Sequence, residues 1–162
     1  MLSSEQRQNL KAIILSLIQE ELEICIRSAN SAHEAATHEE LIAENKYDTK
    51  GLEASYLAGA QARRANELQI DIDEIKKVVL PTSNDSVEYF SLAKIESEEG
   101  ELKNLLLLNR AAGYQFQWQG MEVQSITPES PIGKAIWNKA VDEEFVLTLK
   151  SNKKIYTIIE IL

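Results

Sequence analysis

The sequence predicts an α+β protein. An N-terminal antiparallel α-helical hairpin, a coiled coil, precedes an antiparallel β-sheet domain with one short helix. Three observations predict it. Residues 4–80 contain no proline, and glycine only at Gly51 and Gly59. Apolar residues recur at helical spacing in that half, whereas beyond about residue 86 they alternate with the period of a strand. Small residues crowd the middle of the helical half and large ones its two ends, as two antiparallel arms require.

Ser4 and Glu5 supply a helix start. Leu10, Ile14, Leu17, Ile24 and Ser28 follow helical spacing, and Ile13, Ile18 and Leu22 widen the stripe. The stripe then turns small, through Ala29, Ala32, Ala35 and Ala36. The second helix, from about Thr49 to Val79, mirrors the first. Ala54, Ala58, Gly59, Ala60 and Ala62 open it, and Leu68, Ile72, Ile75, Val78 and Val79 close it. Arms of this length reach about 45 Å at the α-helical rise. Pro81 ends the second helix, and residues 81–86 read as a linker.

Strands are expected at Ser86–Ala93, Tyr114–Gln119, Glu122–Thr127, Phe145–Lys150 and Lys154–Leu162, and the short apolar run Leu105–Leu108 reads as a buried strand in preference to a helix fragment. Tyr114–Gln119 alternates aromatic and amide side chains, the pattern of a strand with one buried face. Ser130 followed by Pro131 marks the start of a short helix running to Trp137. The expected organisation is a hairpin over residues 1–80, with an acidic tip near 37–48, the linker, and a C-terminal domain over 87–162.

The chain has 162 residues and a net charge of −9, with 44% hydrophobic and 27% charged residues. The acidity is spread over both halves, which argues against a grip on duplex nucleic acid by clustered Lys and Arg. One cysteine, Cys25, excludes an internal disulfide and reads as a part-buried helical position. With no signal peptide and no membrane span evident, the expectation is a cytoplasmic protein that makes no membrane contact.

The chemistry sits in THEELIAENKYDTKG, residues 37–51. On a helix, Glu40, Glu44 and Asp48 are four apart and share a face; at a turn they crowd a tip. Either way they repel one another unless a cation sits among them, and Mg²⁺ is held by one or two carboxylates. The alternative is a solvated acidic surface. His33 and His38 are five apart, about 140° around a helix, unlike the four-residue spacing of a zinc motif. No G-x-S-x-G elbow and no glycine-rich phosphate loop occurs.

Two stretches resemble one family. ITPESPIGKAIWNKAVDEEF, Ile126 to Phe145, resembles the C-terminal signature of the bacterial GreA/GreB transcript-cleavage factors, with Asp142 where the family usually has Gly. KKIYTIIEIL resembles the family's last strand. AENKYDTKGLEASYLAGAQARR resembles its hairpin tip and returning helix. The resemblance implies an FKBP-like C-terminal domain that binds RNA polymerase, with Glu129, Ser130 and Pro131 at the contact. It implies a hairpin entering the secondary channel, near the nascent RNA 3′ end. There, two of Glu40, Glu44 and Asp48 help hold an Mg²⁺ shared with the polymerase, which itself cuts backtracked RNA. The protein would then be a monomeric cofactor of the polymerase and not an enzyme, with no metal bound tightly alone. The family's tip acids are three apart, and here Glu40 and Glu44 are four apart. Glu40 with Glu44 and Glu44 with Asp48 both remain possible pairs. Two other readings stay open: a channel-binding regulator or inhibitor without cleavage activity, and a hairpin adaptor for another protein.

Overall fold

The computed structural model describes residues 2–37, 50–149 and 152–162. Two long helices come first, α1 (Ser4–Thr37) and α2 (Lys50–Lys77). Then follow β1 (Leu92–Ser97), β2 (Leu102–Leu107), β3 (Gln115–Trp118), β4 (Met121–Ile126), α3 (Pro131–Ile136), β5 (Glu144–Leu149) and β6 (Asn152–Ile161). By contacts the chain divides into two units. One comprises Met1–Leu15 with Glu74–Leu162, the other Ser16–Asp73. The first turns of α1 and the end of α2 therefore group with the sheet.

In the Ser16–Asp73 unit, Ile18, Leu22, Cys25 and Ala32 are buried along α1, and Leu68 and Ile72 along α2. Ala54, Ala58, Gln61 and Ala65 are half-buried. On α2 these positions alternate by four and three, the seam of a coiled coil. Ile24, expected on the seam, is 54% exposed. It lies two residues past Leu22, about 200° around the helix, so the seam passes to Cys25 instead. Arg64 donates from Nε and Nη2 to Glu21 Oε1, at 3.0 and 2.8 Å, and so ties the two helices. Both side chains are largely solvated, so the pair contributes little.

In the other unit α1 begins with a capping box. Ser3 Oγ accepts from the Gln6 amide at 3.1 Å, and Gln6 Oε1 accepts from the Ser3 amide at 2.8 Å. Lys11 Nζ donates to the carbonyls of Lys76 and Val78, at 2.9 and 2.8 Å, and closes the end of α2.

The strands form one sheet in the order β3-β4-β2-β1-β6-β5. It is mixed, not purely antiparallel: β2 and β4 pair in parallel, and the other pairings are antiparallel. A chain leaving β2 must pass the place β4 will fill, run out as edge strand β3, and return. Ser125, fully buried, holds that crossover. Its Oγ donates to Ala111 O at 2.8 Å and accepts from the Tyr114 amide at 2.9 Å.

The strand expected at Ser86–Ala93 begins only at Leu92. Val87 and Phe90 are both buried, Val87 just before a turn and Phe90 within it. Ser91 N–H donates to Glu88 O at 3.0 Å, and Phe90 takes φ +65. That conformation is uncommon for a bulky residue and costs on the order of 1–3 kcal/mol, offset here by burying the ring.

One sheet face packs Ala93, Ile95, Leu105, Leu107, Ile126, Phe145, Leu147, Tyr156, Ile158 and Ile161 with Ile136 of α3. Phe145 and Tyr156 are register partners whose rings stack at 5.7 Å. The register puts Leu106, Ser125, Val123 and Trp118 on the opposite face. There Trp118 Nε1 donates to Asn9 Oδ1 of α1 at 2.9 Å.

Trp118→Phe removes that donor and part of a buried ring system; urea denaturation should register a loss of about 2 kcal/mol. Arg64→Ala should change stability by less than about 1 kcal/mol. A larger loss for Arg64→Ala than for Trp118→Phe would overturn this ranking.

Candidate partner-binding surface

Two groups of residues were singled out by sequence. The acids Glu40, Glu44 and Asp48, with His38, lie outside the described residues. His33 is exposed on α1. Among the described residues no three His, Cys, Asp or Glu side chains cluster as a metal ion would need.

Glu129, Ser130 and Pro131 stand together where β4 passes into α3. Ser130 is extended, at φ −70 and ψ 150, and caps the helix: its Oγ accepts from the Gly133 amide at 3.0 Å. The same hydroxyl donates to Thr127 O at 2.7 Å, and the Ser130 amide donates to that oxygen at 3.0 Å. Pro131 fills the first helical position, where a missing N–H costs nothing. Ile132, Ala135 and Trp137 pack against the core. Gly133 permits the close approach. A Cβ there would lie 2.0 Å from Thr127 O, a backbone atom that cannot swing aside.

The S-P-I-G run is thus accounted for by local architecture. Ser130 commits its hydroxyl to the cap, Ile132 to the core and Gly133 to the tight contact. Glu129 and Pro131 remain exposed and available to a partner. The end of the helix adds two side chains that sequence reasoning did not select. Tyr89 and Trp137 meet with ring centroids 4.8 Å apart, tilted by 53°, and Tyr89 stays 37% exposed. The signal for Tyr89 was hidden, because its neighbours read as a strand. Val141 is exposed beyond the helix.

Electrostatics here are local. Glu143 accepts from the Ala140 amide at 2.6 Å and from Lys139 Nζ at 3.0 Å, and these hydrogen bonds hold its carboxyl below the usual carboxylate range. Asp142 takes φ +67, a left-handed turn position that Gly favours and Asp tolerates. The site holds exposed carboxylate, proline and aromatic surface on a rigid scaffold, which suits recognition of another macromolecule.

Residues 83–162 match the family model described as "Transcription elongation factor, GreA/GreB, C-term". No curated protein matches. Among solved structures, the chain is similar to Gfh1 of Thermus aquaticus, at 19% identity over 93% of this chain and 92% of that one, TM-score 0.40. It is also similar to GreA factor homolog 1 of Thermus thermophilus, at 21% identity over 91% and 94%, TM-score 0.39. A GreA/GreB elongation factor from Nitrosomonas europaea aligns at 20% identity over 58% and 78%, TM-score 0.37.

Two substitutions check the local account. Ser130→Ala should cost about 1 kcal/mol, the loss of an N-cap. Gly133→Ala should cost more, about 2–3 kcal/mol, because backbone must move. Denaturant midpoints of the two variants decide it; a neutral Gly133→Ala would refute the close approach.

Proposed function

Residues 83–162 belong to the GreA/GreB transcription elongation factors as their C-terminal domain, and from that premise we propose that the protein binds bacterial RNA polymerase and acts on its backtracked complexes. The match over 83–162 is the observation that carries this reading. The exposed pair Glu129 and Pro131, set on a helix start fixed by Ser130 and Gly133, supports it as the polymerase contact.

In this reading the coiled coil serves a segment rich in carboxylates. Glu40, Glu44 and Asp48 supply hard oxygen donors of the kind Mg²⁺ takes, and two of them would share an ion with the polymerase. Bound there, the ion would favour attack by water on the RNA backbone, a role of two-metal sites. The protein's own part is to place carboxylates near the RNA 3′ end, and the reacting groups belong to the polymerase. The reading also makes it a cytoplasmic monomer.

A second reading rests on one sequence observation. Glu40 and Glu44 are four residues apart where the family's tip acids are three apart, and chemistry at a shared metal depends on placement. A protein with this spacing would occupy the channel and alter initiation or pausing without cutting RNA.

Purified protein added to a stalled elongation complex tests both. Shortening of the transcript beyond the polymerase-alone control is expected. Glu44→Ala should reduce it on the order of 100-fold, since misplacing one group in an active site costs about that much. Binding without shortening would favour the second reading, and failure to co-purify with polymerase would sink both. Glu129→Arg should weaken binding about tenfold or more, as like charge at an interface does.

A further inference from the structure

A groove of about 510 Å³ runs between the first turns of α1 and the segment that follows α2. Its walls are apolar at Leu2, Val79, Leu80 and Pro81. Val79 is 86% exposed, a large apolar side chain left without cover. Its charged members are Arg7 and Lys11, one turn apart on the same face of α1.

These two cations are unusual in a chain with 26 acidic residues. Arg7 is only 4% exposed, yet it is tied to a neutral group: Nη2 donates to Asn84 Oδ1. Among the described residues nothing accepts from Arg7 Nη1. Lys11 donates two of its three protons to backbone carbonyls, and its Nζ also lies 5.8 Å from the centroid of the Phe90 ring. Among the described residues neither cation has a carboxylate partner, and burial pulls both below their usual pKa values. Buried charge is normally paired, and like charges one helical turn apart repel. The arrangement lacks an anion.

We propose that this groove binds a small organic oxyanion, its carboxylate or phosphate head held by Arg7 and Lys11 and its apolar body lying along Val79, Leu80 and Pro81. Arg7 supplies the geometry, because a guanidinium meets an oxyanion with parallel donors. Lys11 adds a point charge, with one proton not taken by a carbonyl. The apolar walls favour a ligand with a hydrocarbon part over a bare ion. The site does not use Glu129 or the acids at 40–48, so its failure leaves the polymerase reading untouched.

The test uses the full-length protein labelled with ¹⁵N. Sodium hexanoate, inorganic phosphate and sodium chloride are titrated at matched ionic strength. The Arg7 Nε–H and the Val78 and Val79 amides are followed by NMR. Saturable shifts with hexanoate assign a carboxylate ligand with an apolar body. Saturation by phosphate alone assigns a phosphate head. Either supports the site, and Lys11→Met and Arg7→Lys should then weaken binding by about tenfold or more, the loss of one charged hydrogen bond. Shifts that never saturate, that match the chloride control, or that persist undiminished in Lys11→Met overturn it. Lys11 is only half-buried, so that variant keeps the result readable if the Arg7 variant fails to fold.

Discussion

Leu105, Leu106, Leu107 and Leu108 are consecutive, and each is at most 1% exposed. A strand alternates its side chains, so this run can be dry only if both faces of the sheet are covered. The cluster containing Ile136 of α3 covers one face. On the other, Leu106 shares its side with Leu92 and Trp118, and Trp118 reaches Asn9 of α1. Much of the architecture follows from that need. The first turns of α1 group with the sheet because the sheet cannot leave its second face bare. Lys11 and Asn84 then hold the helix ends there, through the carbonyls of Lys76 and Val78 and through Ile161 O.

Local physics was legible in the sequence. Ser130 with Pro131 announced a helix start because capping needs only neighbours within four residues. The alternation through Phe116 and Trp118 announced a half-buried strand for the same reason. Long-range physics was not legible. Phe90 adopts its left-handed conformation because its amide meets Leu107 O, seventeen residues away, and no local signal encodes that bond. The parallel pairing of β2 with β4 was hidden because each strand alone reads the same in either direction. Arg7 is buried beside Asn84, more than seventy residues downstream, a pairing that no local signal encodes.

The site was legible as a motif more than as a set of roles. Sequence marked Glu129, Ser130 and Pro131 together, but the structure separates them by task. Ser130 builds, while Glu129 and Pro131 are displayed. Three of the four residues of S-P-I-G are spent on the cap, the core and the close approach, and only Pro131 of the four is exposed. Ser130, Ile132 and Gly133 of the motif therefore track the fold, while Glu129 and Tyr89 stay on the surface.

The order of the sheet leaves β3 and β5 as its edges. β3 is short and shows Gln115 and Gln117 to solvent, a poor template for further pairing. β5 is longer and carries an exposed Val146 between its inward Phe145 and Leu147. Its outer backbone can accept a strand from another molecule. Glu143 and Glu144 at its start are the charges that discourage this. A strand that added to this edge would therefore meet Glu143 and Glu144 beside the exposed Val146.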